Sequence, residues 1–305
     1  MAILLSTYNG SGYLTPQLDS FIAQTHPRWT LYWRDDGSAD ATPALLTQFA
    51  ARAGNERCVQ GGGGPARLGI ADSFLALLRT ALPTLAEGDA VAFADQDDVW
   101  LPEKLARGMS ALAEVPPGVP ALYCARQVLV DEHLQQIGLS PEFNRPPGFP
   151  AALTQNIATG CTILLNHAAA TLIGGSRPLP GTLHDWWSYM LIAGAGGVVL
   201  TDDAPVLLYR QHPGNAVGAQ RSRIRRAMAA ARRGPGPFMT DFRRHLDSLA
   251  AHEAVLTASA RQDIAVLRQA VAGGMRQRMA ALNLPGLRRN HWSEGMLFRL
   301  WFMIG

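Results

Sequence analysis

Short apolar runs alternate with helical patterns along the first half of the chain. Apolar residues spaced three or four positions apart predict helices at residues 14–25, 42–53 and 70–85. Between them, apolar runs predict strands at residues 2–6, 29–34 and 90–94. This alternation predicts an α/β fold with a mostly parallel central sheet that is flanked by helices on both faces.

The second half of the chain is less regular. Apolar runs predict strands at residues 121–130, 157–165, 196–200 and 205–209, and a helix at residues 183–192. From about residue 221 the pattern is helical, with breaks at residues 234–237 and 285–286 where glycine and proline fall together. We therefore expect one domain over residues 1–218 and a helical C-terminal extension over residues 219–305.

Polar signatures follow three of the predicted strands, at residues 6–9, 35–38 and 95–98. Ligands of such sheets bind in the crevice beyond the carboxyl ends of the strands. We therefore expect these three segments to form one shared site.

The last of these segments holds three carboxylates, Asp95, Asp97 and Asp98. Carboxylates this close repel one another unless a cation or basic groups offset their charge. A hard divalent ion with oxygen ligands, Mg²⁺ or Mn²⁺, fits that need. The alternative is a solvated acidic turn in which Asp98 caps the following helix.

The motifs taken together resemble a family 2 glycosyltransferase with the nucleotide-binding GT-A fold. The residues that carry the resemblance are ILLSTYNG (3–10), DDGSADAT (35–42), DQDDVW (95–100), TGCT (159–162), HDWW (184–187) and YRQH (209–212). Their order is similar to the rhamnosyltransferase-like branch that builds bacterial surface polysaccharides, and it covers about residues 1–218. It implies inverting, metal-dependent transfer of a sugar from a dTDP- or UDP-sugar, with rhamnose as a candidate, to a glycan or lipid-linked acceptor.

The resemblance also implies roles for single residues. Asp185 is the expected catalytic base, because inversion needs a carboxylate that removes the acceptor hydroxyl proton. Asp97, Asp95 and His212 are the expected metal ligands, with Mg²⁺ or Mn²⁺ as cofactor. The expected nucleotide-sugar-binding residues are Thr7, Tyr8, Asn9, Asp35, Asp36, Arg67, Asp95, Gln96, Thr159, Gly160, Trp186 and Arg210.

Most of these roles have a structural alternative. Asp185 could cap its helix, with Trp186 and Trp187 in the core. Asp35 or Asp36 is expected to accept a hydrogen bond from a pyrimidine ring, but both could instead lie in a turn and cap the following helix. Gly160 could mark a simple bulge in a strand.

Two other functions would account for part of this pattern. A nucleotidyltransferase also pairs an α/β sheet with acidic metal ligands, but residues 6–10 lack the basic phosphate loop such an enzyme needs. A non-enzymatic protein that binds carbohydrate or nucleic acid gives no reason for an acidic cluster after a buried strand. We expect no nucleic-acid partner.

Composition bears on where the protein is located in the cell and on what its C-terminal region contacts. The net charge is +3, the three cysteines are far apart, and Lys104 is the only lysine, which we interpret as composition bias. No apolar run reaches the length of a spanning helix, so we expect a cytoplasmic protein that can bind the inner face of the cell membrane peripherally. Arginines at residues 221–233 predict a basic amphipathic helix, and the apolar residues 292–303 predict contact with membrane, a second subunit or the core.

Overall fold

The computed structural model describes residues 1–61, 67–212 and 234–305. Within them, the strands are β1 (Ala2–Thr7), β2 (Thr30–Asp35), β3 (Cys58–Gln60), β4 (Ala90–Ala94), β5 (Val99–Trp100), β6 (Ala121–Val130), β7 (Gln136–Leu139), β8 (Leu164–Asn166) and β9 (Val198–Arg210). The helices are α1 (Leu14–Ile22), α2 (Thr42–Ala53), α3 (Ile70–Ala81), α4 (Lys104–Ala113), α5 (His167–Gly174), α6 (His184–Gly194), α7 (Pro235–Ala250), α8 (Ala258–Ala272), α9 (Met275–Ala281) and α10 (Trp292–Ile304).

All of these strands belong to one sheet, in the order β3-β2-β1-β4-β8-β6-β9-β5, with β7 paired to β6. The first four are parallel neighbours, and β6 and β9 are also parallel. β8 runs antiparallel to both β4 and β6. The predicted α/β class is confirmed, but the sheet is mixed rather than mostly parallel. In the described chain no α-helix separates β6 from β8, and an antiparallel pair needs no helical crossover.

Two strand predictions need correction. The run at residues 157–165 is a strand only at its end, because Gly160–Thr162 forms a 3₁₀ turn before β8 begins. The two strands predicted at residues 196–200 and 205–209 are one long strand, β9, which begins only at Val198.

The core lies on both faces of the sheet. Side chains of β1 alternate between the faces, as the pleat requires, so that Ala2 and Leu4 enter one cluster while Ile3 and Leu5 enter the other. The helices after residue 234 pack on the Leu4 face, and Phe242 is among the residues they bury there. The C-terminal helices therefore share a core with the sheet.

Some predictions fall outside the described residues. These are the domain boundary near residue 218 and the basic helix at residues 221–233. Among the described residues, no helix combines the length and apolar character needed to cross a bilayer.

Candidate active site

The three polar segments meet at one edge of the sheet, as the sequence predicts. β1 lies between β2 and β4, with Thr7 level with Asp35 and Leu5 level with Ala94. We call residues 6–10, 35–38 and 95–98 the strand-end side of the site.

The amide of Gln96 joins two of these segments. Its Oε1 accepts from the Tyr8 backbone N–H at 2.9 Å, and its Nε2 donates to the Tyr8 carbonyl at 3.0 Å. A Cβ on Gly10 would lie 2.2 Å from Gln96 Oε1, so the approach of this side chain requires glycine there. Gln96 thus extends the pairing of β1 and β4 beyond the ends of the strands.

Asp35 and Asp36 have different surroundings. Asp35 accepts from Thr7 Oγ1 and from the backbone and hydroxyl of Ser38, at 2.5 to 3.1 Å, so its carboxylate holds the turn that follows β2. Asp36 is 4% exposed and accepts from the backbone N–H groups of Leu68 and Gly69 at 2.7 and 2.8 Å.

The carboxylate of Asp36 stays ionised. Burial acts to raise its pKa, but the hydrogen bonds from Leu68 and Gly69 and the Arg34 guanidinium outweigh it and lower the pKa. Arg34 lies 3.1 Å away in a buried ion pair. Asp36 is therefore a fixed acceptor that fastens the loop at residues 67–69 over the end of β2.

Two of the remaining strand-end residues are structural in their contacts. Thr7 is 1% exposed and donates to Asp35. Asn9 has a φ of 47°, a left-handed conformation that asparagine tolerates, and its Oδ1 accepts from the Ala39 backbone. Tyr8 is more exposed, and the Arg67 guanidinium lies 3.9 Å from the centre of its ring. Tyr8 and Arg67 are the pair that faces the outside.

Asp97 pairs with His212, which follows β9. The distance from His212 Nε2 to Asp97 Oδ2 is 2.8 Å, and the imidazole lies against the Tyr13 ring. Arg210 holds the backbone of Asp97 in place. It is 4% exposed, and its Nε donates to the Asp97 carbonyl at 2.9 Å. The structure thus brings together the predicted metal ligands Asp97 and His212, and it directs Arg210 to backbone carbonyls.

Asp95 and Asp98 lie in the same segment as Asp97. Their carboxylate oxygens and the Cys161 thiol fall within 4.8 Å of one another. Burial, together with the negative charges of Asp97 and Asp185, raises the pKa of Asp95 to about 7. Burial, together with the negative charges of Asp97 and Asp95, raises the pKa of Asp98 as well.

Asp98 does not cap a helix, so the structural alternative given for it above is wrong. The two residues after it form β5, which pairs with β9, and α4 begins only at Lys104. Asp98 is instead wholly buried and accepts from the Arg210 backbone N–H at 3.3 Å. Its second oxygen has no hydrogen-bond partner among the described residues.

Asp185 lies on the side of the site opposite the strand-end side. It is the second residue of α6, and its Oδ2 accepts from Asn156 Nδ2 at 2.9 Å and from the Gly160 N–H at 3.2 Å. Gly160 directly precedes Cys161, whose thiol lies within 4.8 Å of the Asp95 and Asp98 carboxylates, so Asp185 is held next to the acidic cluster. We call residues 151–162 and the first turn of α6 the Asp185 side.

Gly160 allows the close packing of this side. A Cβ there would lie 3.0 Å from His184 Nε2 and 3.4 Å from Asp185 Cβ. His184 stacks on Phe74 at 4.1 Å, and burial lowers its pKa to about 4, so its ring is neutral. Thr159 accepts from Thr162 and closes the 3₁₀ turn.

The two tryptophans after Asp185 differ. Trp187 is wholly buried, so it is a core residue and offers no face to a sugar. Trp186 is half-buried, with its Nε1 donating to the Ala152 carbonyl at 2.7 Å.

Lys104 connects the two sides. Its Nζ donates to the Cys161 carbonyl and lies 3.3 Å from the centre of the Trp100 ring. The side chain is wholly buried, and that burial lowers its pKa to about 7. The single lysine of the chain is therefore placed next to the acidic cluster, which composition alone did not reveal.

Asn156 and Lys104 are the site residues that the sequence analysis missed. Asn156 lies in an irregular loop, where no periodicity marks a side chain as inward-facing. For Lys104 one signal existed, because a lone lysine ten residues or fewer after an acidic cluster is an unusual position in an arginine-rich chain.

Comparison with known proteins agrees with this geometry. The model of the family described as glycosyl transferase family 2 matches residues 2–169, more than half of the chain. The dTDP-rhamnosyl transferase RfbG of Shigella flexneri is 28% identical over 233 residues, which cover 70% of this chain and 74% of that protein. An uncharacterized glycosyltransferase of Nostoc sp. is 34% identical over 112 residues, or 35% of this chain and 31% of the relative. The chain spans about a third of the length of that relative and of protein CgeD from Bacillus subtilis.

Solved structures share the fold. TarS of S. aureus in complex with UDP-GlcNAc has a TM-score of 0.56 and 16% identity, covering 86% of this chain and 69% of that one. The mannosyltransferase PcManGT from Pyrobaculum calidifontis, in complex with GDP-Man and Mn²⁺, has a TM-score of 0.50 and 21% identity, covering 99% of this chain and 85% of that one. These likenesses confirm the predicted GT-A fold.

Proposed function

The chain belongs to glycosyl transferase family 2, and on this basis we propose that it transfers a sugar from a nucleotide diphosphate sugar, with inversion, to an acceptor of cell-surface polysaccharide synthesis. The observation that carries the proposal is the convergence of two carboxylate groups with different surroundings. Asp97 is paired with His212 on the strand-end side, whereas Asp185 is held by Asn156 and Gly160 on the other side. A nucleotidyltransferase or a binding protein would have no use for the second group.

Asp185 is the proposed catalytic base. Its Oδ2 is held by two N–H donors, and its second oxygen accepts from the Trp186 backbone, so the carboxylate is fixed at the start of α6. Asp185 removes the proton of the acceptor hydroxyl as that oxygen attacks the anomeric carbon of the sugar, and the nucleotide diphosphate departs from the opposite face.

Asp97 and His212, together with Asp95, are the proposed metal ligands. The donor set fits a divalent cation, because carboxylate and imidazole suit Mn²⁺, and carboxylate alone suits Mg²⁺. Asp95, Asp97 and Asp98 lie within four consecutive residues, and a bound cation would offset the repulsion between their carboxylates. When bound, such an ion would neutralise the charge that develops on the leaving diphosphate. The Cys161 thiol beside Asp98 is a poor ligand for either ion, because burial raises its pKa far above neutrality.

The donor is proposed to be a dTDP- or UDP-sugar. Asp35 and Asp36 place two carboxylates at the end of β2, and an acceptor there suits the imide N–H of uracil or thymine. The exposed ring of Tyr8, with Arg67 over it, gives a flat face and a positive charge close by. The likeness to RfbG, described as a dTDP-rhamnosyl transferase, makes rhamnose the first sugar to test.

The test is donor binding with and without metal. The protein is incubated with dTDP-rhamnose and with UDP- and GDP-sugars, in Mn²⁺, in Mg²⁺ or in EDTA, and binding is measured by calorimetry and donor hydrolysis by nucleotide release. We expect one donor class to bind with metal and EDTA to abolish turnover. Asp97→Asn and His212→Gln should each lower metal-dependent turnover by about 100-fold or more.

Asp203→Asn is the matched control, because Asp203 is an exposed carboxylate on β9 outside the site. It should behave as wild type. The proposal fails if no donor responds to metal, or if Asp97→Asn keeps the metal dependence of the wild type.

A further inference from the structure

The apolar side chains with the greatest exposure lie together on the last two helices. They are Met275 (62%) and Met279 (56%) on α9, and Trp292 (70%), Met296 (64%), Leu300 (54%) and Ile304 (62%) on α10. No other large apolar side chain among the described residues exposes more than 48% of its surface. We call these six residues the C-terminal apolar face.

Their spacing makes the exposure systematic. On α10 they recur every four residues, so they form one stripe along the helix, and the two methionines of α9 have the same spacing. The opposite side of α10 is also apolar, with Phe298 and Phe302 buried in the core. A helix that is apolar on both sides needs a second partner for its outer stripe.

The two helices are tied to each other. Arg278 on α9 donates to the Phe302 carbonyl at 3.0 Å, and Arg299 on α10 donates to the Leu282 carbonyl at 3.2 Å. These hydrogen bonds hold the exposed residues of the two helices in a fixed position relative to each other.

The charge around this face is positive. Arg276 is exposed three residues before Met279, and Arg299 is exposed three residues after Met296, so each arginine borders an apolar row. The only acidic residue in the last 33 positions is Glu294, which points to the loop at Gln155 and accepts from its Nε2 at 3.2 Å. An apolar stripe bordered by arginines is complementary to anionic lipid, whereas a symmetric contact between two copies would bring like charges together.

We propose that the C-terminal apolar face docks this protein on the surface of an anionic lipid bilayer. α10 lies in the plane of the membrane, with Met296 and Leu300 in the acyl boundary. Trp292 lies at the headgroup level that tryptophan favours. Arg276 and Arg299 contact lipid phosphates, and their aliphatic stems follow the apolar row.

The face is joined to the Asp185 side. Just before α10, Arg289 donates to the Thr154 carbonyl at 2.8 Å, and the Asn290 N–H donates to Gln155 Oε1 at 2.9 Å. The next residue of that loop is Asn156, which holds Asp185. This part of the inference rests on the proposed function: a docked enzyme would present its base to a lipid-linked acceptor.

The test is sedimentation of the full chain with vesicles of phosphatidylcholine, either alone or mixed with phosphatidylglycerol. We expect binding to the mixed vesicles only, weakened by salt. The double variant Met296→Glu/Leu300→Glu should lower the partition coefficient by about tenfold or more. Arg276→Gln should lower it by about fivefold on mixed vesicles. The double variant Ile22→Glu/Val255→Glu is the matched control, since it adds the same charge at other exposed apolar positions, and it should bind as wild type.

The readout needs no donor, so it is separate from the test of sugar transfer. All variants should keep the melting temperature of the wild type, because the substituted side chains are largely exposed. The proposal is overturned if the wild type does not bind mixed vesicles, or if Met296→Glu/Leu300→Glu binds like wild type. It is also overturned if the control loses as much binding, or if light scattering shows a dimer that Met296→Glu/Leu300→Glu dissociates.

Discussion

The two sides of the cleft are built in different ways. The strand-end side is set by the parallel register of β1, β2 and β4, so its polar segments meet wherever these strands end. The Asp185 side is set by an irregular loop, whose own support comes from positions 135 to 139 residues away in the C-terminal segment. The register of the sheet positions the strand-end side, whereas hydrogen bonds made by side chains position the Asp185 side.

The difference extends to the ionisable groups. On the strand-end side, burial and neighbouring carboxylates raise the pKa values of Asp95 and Asp98, so ionising them together is unfavourable unless a cation is near. On the Asp185 side, burial lowers the pKa values of His184 and, on the neighbouring α7, of His245 to about 4. The first group of residues is poised for a cation, whereas the second forms a neutral wall behind Asp185.

Asp185→Asn should separate the two sides most sharply. The asparagine can keep the hydrogen bonds from Asn156 and Gly160 through its oxygen, but it cannot take a proton. Transfer of labelled sugar to a membrane-extracted glycolipid fraction should fall by about 10²- to 10⁴-fold. Donor binding by calorimetry should be unchanged, because the strand-end side is intact.

Asp203→Asn serves again as the control, with wild-type transfer expected. Unchanged turnover of Asp185→Asn would refute its role as the base. A loss of donor binding equal to the loss of transfer would show that the two sides are not separable.

Lys104→Met tests the connection between the sides. The substitution leaves the Cys161 carbonyl without its donor and removes the positive charge that lowers the pKa of Asp95. Removing one partner from a buried charged group costs about 3–5 kcal/mol in the free energy of unfolding. Urea unfolding in EDTA at neutral pH measures this loss.

Arg261→Met is the control, because Arg261 is an exposed cation on α8. Its effect should stay within about 0.5 kcal/mol. If Lys104→Met is as stable as this control, the lysine does not hold the two sides together.

The sequence predicted the strand-end side well, because periodicity determines it. The bounds of α2, β4 and β6 match the predictions residue for residue, and each is a strongly patterned segment. Asp98 was misplaced because β5 has only two residues, and its pairing with β9 depends on a partner about 110 positions away. A two-residue strand has no period to detect.

The Asp185 side could be predicted only through the resemblance. HDWW marks Asp185 within a known pattern, but nothing local points to Asn156 or to the 3₁₀ turn at Gly160–Thr162. That turn replaces a predicted strand because Thr162 bonds back to the Thr159 carbonyl through both its N–H and its hydroxyl. Side-chain hydrogen bonds to the backbone compete here with the hydrogen bonds of a strand, and the pattern of apolar residues does not reveal this competition.

The opposite pKa shifts give the smallest predicted effect. The pKa of His245 is lowered from 6.5 to about 4 by burial and by Arg244, so between these values only the unfolded chain takes up the proton. Its contribution to stability therefore falls as the pH falls. Burial raises the pKa of Asp98 well above 3.8, so at pH values just above 3.8 the folded chain keeps a proton that the unfolded chain has lost. Its contribution falls as the pH rises.

The two substitutions should thus tilt the stability curve in opposite directions. Between about pH 4 and 6.5, His245→Phe should make the slope of unfolding free energy against pH less positive. Asp98→Asn should make that slope more positive at pH values just above about 4. Each change is at most about 1.4 kcal/mol per pH unit, the effect of one proton. Urea midpoints in EDTA across this range provide the measurement. If both variants change the slope with the same sign, the contrast between an acidic strand-end side and a neutral wall behind Asp185 does not hold.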